Sequence, residues 1–389
     1  MLTKNDRKAG FFDADDCDLV DFADLVSRTD LNDGLEHAET VAKNIPVYDA
    51  AALDDALRDP DARLPVLAEW AHVLRDGAGV LVLRRAYADT APIDAATAVY
   101  DAIIAEEKAA SGGGADHFAT AGANDRIWNS LQKLCEADPE VFARYFGNIA
   151  IASVCDAWLG PNWQMTAQVN LVRPGGAAQQ AHRDYHLGFQ TAEISALYPA
   201  HVHDLTPALT LQGAVAHTDM PIESGPTKLL PFSQLYRPGY VAWRRQDFRD
   251  FFEAHHVQMP LAKGDAVFFN PALFHAAGAN TSADIQRMAN LLQVSSAFGR
   301  AMESIDRAAM CRRLYPVLES LDMDRADRDA AIASCAEGYS FPTNLDRDPP
   351  VGGLAPETQA ALFRRALDAG WPPEDFAEAL AAQEDRRRA

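Results

Sequence analysis

The sequence is poor in basic residues, in cysteine and in long apolar runs. Its 35 lysines and arginines stand against 56 aspartates and glutamates, a formal net charge of −21, which argues against nucleic acid or an anionic membrane as a partner. No apolar stretch is long enough to predict a secretory signal or a membrane span. Five scattered cysteines without a CxxC pair argue against a disulfide framework or a cysteine zinc site, and predict reduced thiols in a cytoplasmic protein.

Metal-binding residue types are concentrated around His182, Arg183 and Asp184. In an extended chain, residues two apart face the same side, so the His182 imidazole and the Asp184 carboxylate converge while Arg183 points away. One further histidine would complete a facial set of two imidazoles and one carboxylate, which holds Fe(II) and leaves positions open for substrate and O2. Taken alone, such a triplet is more often a hydrogen-bonded surface pair, so the assignment depends on the third ligand.

Local sequence selects His275 as that third ligand. It follows a predicted turn at 263–265, a predicted buried strand at 266–270, and Pro271, which suits an edge or bulge beside a site. His186 competes, because it would share the strand face of the first two ligands. Three ligands from one strand would strain to reach three corners of an octahedron, so His275 is preferred.

Arg287 follows His275 in a run that carries no other charge. The simplest interpretation is a surface arginine at the start of a strand. A guanidinium on a buried strand, however, needs an anion, and no acidic residue follows it before Glu303. The carboxylate of a ligand would supply that anion, because it matches the planar fork of arginine.

These four residues, in this order, resemble the phytanoyl-CoA dioxygenase family of Fe(II)- and 2-oxoglutarate-dependent oxygenases. The segment DMPIESGPTKLLPFSQLY is also similar to the family's Gly-Pro segment before the distal histidine. It departs from the family at 231–234, where PFSQ stands in place of Pro-Gly-Ser-His. The resemblance extends over about residues 164–298.

The resemblance implies that the two histidines and Asp184 bind Fe(II), that 2-oxoglutarate chelates the iron, and that Arg287 pairs with the far carboxylate of 2-oxoglutarate. In that family the strand before the HxD motif contributes side chains to the 2-oxoglutarate pocket, which here implies Gln168 and Asn170. The implied reaction is hydroxylation of an unactivated C–H bond of a small molecule by O2, with release of succinate and CO2. Hydroxylation is expected because related halogenases lack the carboxylate that Asp184 provides.

The implied fold is a double-stranded β-helix, a jelly roll of two antiparallel sheets, with flanking helices; its class is a mainly β core with α layers (α+β). Four parts are predicted along the chain. They are an irregular N-terminal arm at 1–45, a helical and strand layer at 46–161 with a possible lid loop at 110–130, a jelly-roll catalytic core at 162–300, and a helical C-terminal extension at 301–389.

Loops on a rigid scaffold often carry binding residues. His117, Arg126 and Trp128 in the predicted lid are therefore candidate substrate contacts, with an ordinary surface loop as the alternative. Gln212 and His217 belong to a predicted strand between the ligands and could face the cavity. A lone histidine on such a strand is more often a hydrogen-bonded core residue.

The segment 236–256 is aromatic and charged, and predicts a helical packing insertion. Its arginines Arg244, Arg245 and Arg249 are expected on a solvated helix face, with a phosphate site as the less favoured alternative. The acidic composition of the whole chain favours a small metabolite over an acyl-coenzyme A ester as substrate. The oligomeric state stays open.

Two other functions fit parts of the sequence. The text around His275 also resembles the second cupin motif, which would suit a cupin-type metalloenzyme that does not use 2-oxoglutarate. No HxH-then-Glu motif accompanies it, and Arg287 would then have no role. A catalytically silent jelly-roll binding protein is the second alternative, and the intact ligand residues argue against it.

Overall fold

The computed structural model describes residues 10–29, 34–111 and 124–389. Its strands form one large sheet and one small sheet. They are β1 Thr40–Ala42, β2 Ile45–Asp49, β3 Val80–Arg84, β4 Asn124–Ile127, β5 Gln164–Val172, β6 Thr210–Ala216, β7 Lys228–Leu230, β8 Val257–Gln258, β9 Ala266–Phe269, β10 Phe274–Ala276 and β11 Arg287–Ser295.

The large sheet has eight strands in the order β1-β2-β3-β9-β6-β11-β5-β4, and the small one has the order β10-β7-β8. The pairs are antiparallel except for β2 and β3, which run parallel. Both sheets contribute to the wall of one cavity, which is the arrangement of a jelly roll. The predicted α+β jelly roll is confirmed, although four strands of its large sheet precede residue 162.

The two longest strands, β5 and β11, pair along their whole length, from Arg287 opposite Val172 to Ser295 opposite Gln164. Their side chains alternate between two environments, as the pleat requires. On β5, Ala167 and Val169 pack in the larger hydrophobic core, whereas Gln168 and Asn170 line the cavity. The polar side chains of β5 therefore face inward toward the cavity and not outward to solvent.

Helices pack against both sheets, most of them in the core of the large sheet and others, through Phe22, Val241 and Phe248, beside the small sheet. They are α1 Leu19–Val26, α2 Ala50–Arg58, α3 Pro60–Arg75, α4 Ala91–Ser111, α5 Ser130–Ala137, α6 Pro139–Phe146, α7 Ile149–Leu159, α8 Ala192–Ser195, α9 Ala200–Leu205, α10 Gly239–Ala242, α11 Gln246–His255, α12 Arg307–Ser320, α13 Arg325–Cys335, α14 Gln359–Asp368 and α15 Pro373–Arg387. Among the described residues, no helix is both long and apolar enough to cross a membrane.

Helices α6 and α7 show how local sequence sets helix boundaries. Asp138 caps α6 by accepting from the backbone N–H groups of Glu140 and Val141, and Pro139 occupies the first turn, where its missing N–H costs nothing. Asn148 caps α7 in the same way, and Gly160, at φ +70°, ends it. Local capping residues therefore set the start of α6 and both ends of α7.

The two ends of the chain pack onto the body in different ways. The predicted irregular arm contains helix α1, whose Phe22 ring lies 5.1 Å from Phe248 and 5.0 Å from Phe274. The C-terminal helices join the core behind the large sheet, where Tyr315 stacks on Phe376 at 4.1 Å. Their apolar stripes are therefore covered by this chain itself.

Candidate metal centre and its cavity

Three side chains from distant parts of the sequence meet at one point of the cavity wall. The ligand atoms of His182, Asp184 and His275 all lie within 4.8 Å of one another. The Nε2 atoms of His182 and His275 lie 3.7 Å and 3.4 Å from the two carboxylate oxygens of Asp184. Within the described ranges of the chain, no other group of three His, Cys, Asp or Glu side chains meets this criterion.

Backbone hydrogen bonds hold the two ligand segments together. The N–H of His182 donates to the carbonyl of His275 at 3.0 Å, and the N–H of His275 donates back at 3.1 Å. The Asp184 N–H donates to the Pro271 carbonyl at 3.0 Å. The HxD motif is thus an extended segment joined to β10 by an isolated bridge. It ends at Tyr185, whose φ is +61°.

Both imidazoles are oriented by backbone carbonyls. Nδ1 of His182 lies 2.8 Å from the Gln180 oxygen, and Nδ1 of His275 lies 2.9 Å from the Leu273 oxygen. A carbonyl only accepts, so each Nδ1 carries the proton and each Nε2 keeps its lone pair. Both free lone pairs are therefore on the nitrogens nearest Asp184.

The Asp184 carboxylate stays ionised at neutral pH. Burial alone would raise the pKa of Asp184, but the two facing imidazoles and the Gln212 amide, which donates at 2.5 Å, lower it below its ordinary value. Burial, followed by the neighbouring His275, lowers the pKa of His182. Two neutral imidazoles and one carboxylate are the donor set expected for Fe(II).

The other two histidines considered do not join this cluster. His186 follows the turn at Tyr185 and lies outside the group of ligand atoms. His217 is buried, and its Nδ1 and Nε2 lie 2.8 Å from the Thr97 hydroxyl and 2.7 Å from the Tyr145 hydroxyl. It does not line the cavity, so it is the hydrogen-bonded core residue that the sequence favours.

The cavity measures about 610 Å³, within the range of small-molecule sites. Its apolar wall comes from both sheets and from the loops between them. That wall includes Met220, Leu229, Leu261, Val267, Phe269, Ala289, Leu291 and Leu292. Such a lining reduces the exposure of the candidate metal ligands to solvent, to 23% for the His182 side chain, 17% for Asp184 and 6% for His275.

Arg287 begins β11, lines this cavity and is only 7% exposed. Its Nη1 donates to the Ser224 and Gly278 carbonyls at 3.1 and 3.3 Å. No carboxylate among the described residues offsets its burial, which lowers the pKa of Arg287 to about 10. The expected guanidinium without an acidic partner is therefore present beside the candidate metal ligands.

Gln168 and Asn170 also line this cavity. Gln168 is held on both sides, because Arg126 donates to its Oε1 at 3.3 Å and its Nε2 donates to Gln293 at 3.2 Å. The Oδ1 of Asn170 is buried and has no hydrogen-bond partner among the described residues. Unlike Gln168, Asn170 thus has a buried acceptor atom, Oδ1, that no described donor satisfies.

The predicted lid is partly an edge strand. Residues of β4 pair with β5, so that Arg126 lies opposite Asn170. Arg126 and Trp128 both line the cavity, with the guanidinium carbon 5.1 Å from the indole centroid. His117 lies outside the described residues.

The cavity also includes residues that the sequence interpretation missed. Trp243 and Arg249 line it, so the expectation of a wholly solvated basic helix face is wrong. Of the three arginines in this segment, Arg245 does not line the cavity but is partly exposed and pairs with Asp247 at 2.6 Å. No pattern in the sequence distinguishes Arg249 from Arg245. The helix face that lines the cavity is set by the packing of the segment 236–256 against the rest of the chain.

Comparison with known proteins gives one family. The family model of phytanoyl-CoA dioxygenase (PhyH) matches residues 76–289. The dioxygenase andF of Emericella variicolor is 25% identical over 139 residues, 35% of this chain and 43% of that protein. The dioxygenase trt7 of Aspergillus terreus (strain NIH 2624 / FGSC A1156) is 28% identical over 128 residues, 33% of this chain and 39% of that protein. The match spans less than half the length of these curated relatives.

Solved structures were compared as well. The non-heme alpha ketoglutarate dependent carbocyclase SnoK from nogalamycin biosynthesis has 21% identity and a TM-score of 0.42, covering 63% of this chain and 89% of that one. The epimerase SnoN, in complex with Fe3+, alpha ketoglutarate and nogalamycin RO, has 18% identity and a TM-score of 0.41, covering 61% and 85%.

Proposed function

The chain belongs to the phytanoyl-CoA dioxygenase family, and on that basis we propose that it is an Fe(II)- and 2-oxoglutarate-dependent dioxygenase acting on a small molecule. One observation carries the proposal. The cavity that holds His182, Asp184 and His275 within 4.8 Å of one another also holds Arg287, a buried guanidinium with no acidic partner among the described residues. A cupin-type metal site alone would give Arg287 no role.

The residues present fit the metal. Two imidazole Nε2 atoms and one carboxylate form the facial set typical of non-haem Fe(II), and the backbone bonds to Nδ1 hold the rings in the required tautomer. Bound there with 2-oxoglutarate and O2, iron would supply oxidation of an unactivated C–H bond, with succinate and CO2 as co-products. Gln212 would keep Asp184 oriented through its hydrogen bond.

The remaining side chains would bind and orient 2-oxoglutarate and the substrate. Arg287 would pair with the far carboxylate of 2-oxoglutarate, because its planar N–H groups match two carboxylate oxygens. Gln168 and Asn170 would contribute amide groups to the same pocket, and the unpartnered Oδ1 of Asn170 supports a role in ligand binding. Arg126 would help to orient the substrate at the cavity wall.

Hydroxylation is the proposed outcome, because Asp184 occupies the third ligand position and leaves no place there for a halide. The protein's part is to hold the substrate C–H beside the ligand triad and to exclude water from it. The apolar side chains of both sheets would do this, among them Phe269 and Leu291.

The test is formation of succinate from 2-oxoglutarate by the purified full chain with Fe(II), O2 and candidate small-molecule substrates. Substrate-dependent succinate, absent when iron is chelated, would support the proposal. Binding of Mn(II), as an oxygen-stable substitute for Fe(II), without any binding of 2-oxoglutarate would favour the cupin-type alternative. Binding of both without turnover on any substrate would favour the silent binding protein.

A further inference from the structure

The charge of the cavity is opposite to that of the whole protein. The chain has a formal net charge of −21. Among the described residues, however, the charged side chains that line the cavity are Arg126, Arg183, Arg249 and Arg287 against the single carboxylate of Asp184. Such a local excess of cations attracts anions more strongly than the global charge repels them, because screening weakens the distant charges. An anionic ligand is therefore expected in this cavity.

Two of these arginines have other roles. Arg183 donates to the Ser233 and Tyr236 carbonyls at 2.6 and 2.8 Å. Its guanidinium carbon also lies 5.1 Å from the ring centroids of both Tyr240 and Phe274. These groups compensate its charge, so Arg183 is a structural residue. Arg287 is assigned to 2-oxoglutarate by the proposed function.

Arg249 belongs to a cluster with Trp243 and Arg244, which we call the Trp243 cluster. The guanidinium carbon of Arg244 lies 3.8 Å from the Trp243 ring centroid, and that of Arg249 lies 5.7 Å from it. Among the described residues, no acid forms an ion pair with Arg244 or Arg249, whereas the intervening Arg245 pairs with Asp247. Two cations therefore share one aromatic ring without an ion-paired carboxylate, and the charge of Glu193 acts on Arg244 only from a longer distance.

The Trp243 cluster also holds hydrogen-bond donors that lack an acceptor. Nε1 of Trp243, Nη1 of Arg244 and Nε of Arg249 are buried and have no partner among the described residues. A buried donor without an acceptor is costly, and more so when it is charged. Within the part of the chain that the structure describes, the side chains of the cluster make one hydrogen bond, from Nη2 of Arg244 to the Gly188 carbonyl at 3.1 Å. Three buried donors of the cluster thus have no acceptor among the described residues, and a bound anion would supply acceptor atoms.

The position of the cluster links it to the reacting centre. The Trp243 ring centroid lies 6.5 Å from that of His182, and Trp243 and Arg249 both line the cavity. Arg287 is anchored elsewhere, by the Ser224 and Gly278 carbonyls at the start of β11. Besides Arg126, which donates to Gln168, the cavity therefore has two cationic places on different elements, and 2-oxoglutarate needs one of them.

We propose that Arg249, supported by Trp243 and Arg244, is a substrate-specificity residue that binds an anionic group, a carboxylate or a phosphate, on the substrate. The inference rests on the proposed function and adds the substrate class, an organic anion. The guanidinium of Arg249 would donate to the anion, the Trp243 indole N–H would add a further donor, and the apolar wall would cover the carbon skeleton.

The test uses full-length protein loaded with Mn(II) and saturated with N-oxalylglycine, an unreactive analogue that fills the 2-oxoglutarate position. Calorimetry then compares two pairs of probes: phenylacetate with its methyl ester, and phenyl phosphate with its dimethyl ester. We expect at least one anion to bind tenfold or more tightly than its ester, and the pair that shows this identifies carboxylate or phosphate. Arg249→Gln should remove the preference, and Arg249→Lys should keep part of it.

The matched control is Arg237→Gln, which removes an exposed arginine of the same segment that pairs with Asp204. It should keep the preference of the unmodified protein. Equal affinity for acid and ester, absence of binding by either probe of both pairs, or an unchanged preference in Arg249→Gln would overturn the inference. Binding of Mn(II) and N-oxalylglycine, measured first in the same samples, separates this result from failure of the proposed function itself.

Discussion

Replacement of Arg287 by glutamine should weaken 2-oxoglutarate binding without weakening the fold. The guanidinium is 7% exposed and has no acidic partner among the described residues. A bound carboxylate would therefore lose its charge partner inside the protein. Loss of one partner of a buried, hydrogen-bonded charge pair costs about 3 kcal/mol, roughly a hundredfold in affinity. In the ligand-free protein, the same substitution removes a desolvated charge, which burial disfavours.

The substitution therefore affects 2-oxoglutarate affinity and the stability of the ligand-free fold differently, and the two quantities can be measured separately. Calorimetry with Mn(II) and 2-oxoglutarate should show the hundredfold loss for Arg287→Gln and an intermediate loss for Arg287→Lys, which keeps the charge but not the planar fork. Thermal unfolding of the ligand-free variants should give a melting temperature close to that of the unmodified protein, because removal of the desolvated charge offsets the loss of the hydrogen bonds to the Ser224 and Gly278 carbonyls.

A second buried arginine provides the control. Arg307 donates to the Met165, Ser334 and Cys335 carbonyls and lies outside the cavity. Arg307→Gln should lower the melting temperature, because these carbonyls lose their donor, and should leave the dissociation constant for 2-oxoglutarate unchanged. Unchanged affinity in Arg287→Gln, or an equal loss in Arg307→Gln, would refute the role assigned to Arg287.

Three further predictions concern other parts of the molecule. Asp184→Ala should lower Mn(II) affinity at least a hundredfold and reduce succinate formation to background; full activity would remove Asp184 from the ligand set. Arg126→Ala should raise the Michaelis constant for substrate, and unchanged kinetics would exclude Arg126 from the site. Burial lowers the pKa of His217 to about 3, whereas in the unfolded chain this histidine takes up a proton near pH 6.5, so acid should destabilise the fold. Between pH 6.5 and pH 5 the free energy of unfolding should fall by ~2 kcal/mol through His217. Urea unfolding at the two pH values should show that His217→Gln lacks this loss.

The candidate metal ligands could be predicted because His182 and Asp184 are close in sequence, and because the sequence before His275 carries its own turn and strand signals. The spacing of His182 and Asp184 puts both side chains on one side of any extended segment, whether or not it lies in a regular strand. His275 was separable from its rivals by the turn and strand signals before it. The exclusion of His186 rested on strand geometry, and the structure excludes it through the turn at Tyr185 instead.

The parts that could not be predicted depend on long-range pairing. Strand β4 has the sequence NDRI, which lacks an apolar alternation, and its assignment as a strand comes from its pairing with β5. In the same way, β1 has only three residues, none of them buried, and joins the opposite edge of the sheet through its pairing with β2. Short polar edge strands have little sequence signal of their own, because the partner strand and not the side-chain pattern stabilises them.

The conflict between global and local charge bears on the substrate class. A net charge of −21 acts mainly over the surface, where screening limits its reach to about 8–10 Å. Within the cavity, an anion would lie in contact with the arginines in a medium of low dielectric constant, so their attraction would outweigh the repulsion from the distant acidic residues. A free organic acid would place its anion at Arg249 and its carbon skeleton inside a cavity of about 610 Å³. A coenzyme A ester would instead leave phosphates outside, against an acidic surface. We therefore expect the free acid to be the better substrate, as the ratio of kcat/KM for an acid and its coenzyme A ester would test.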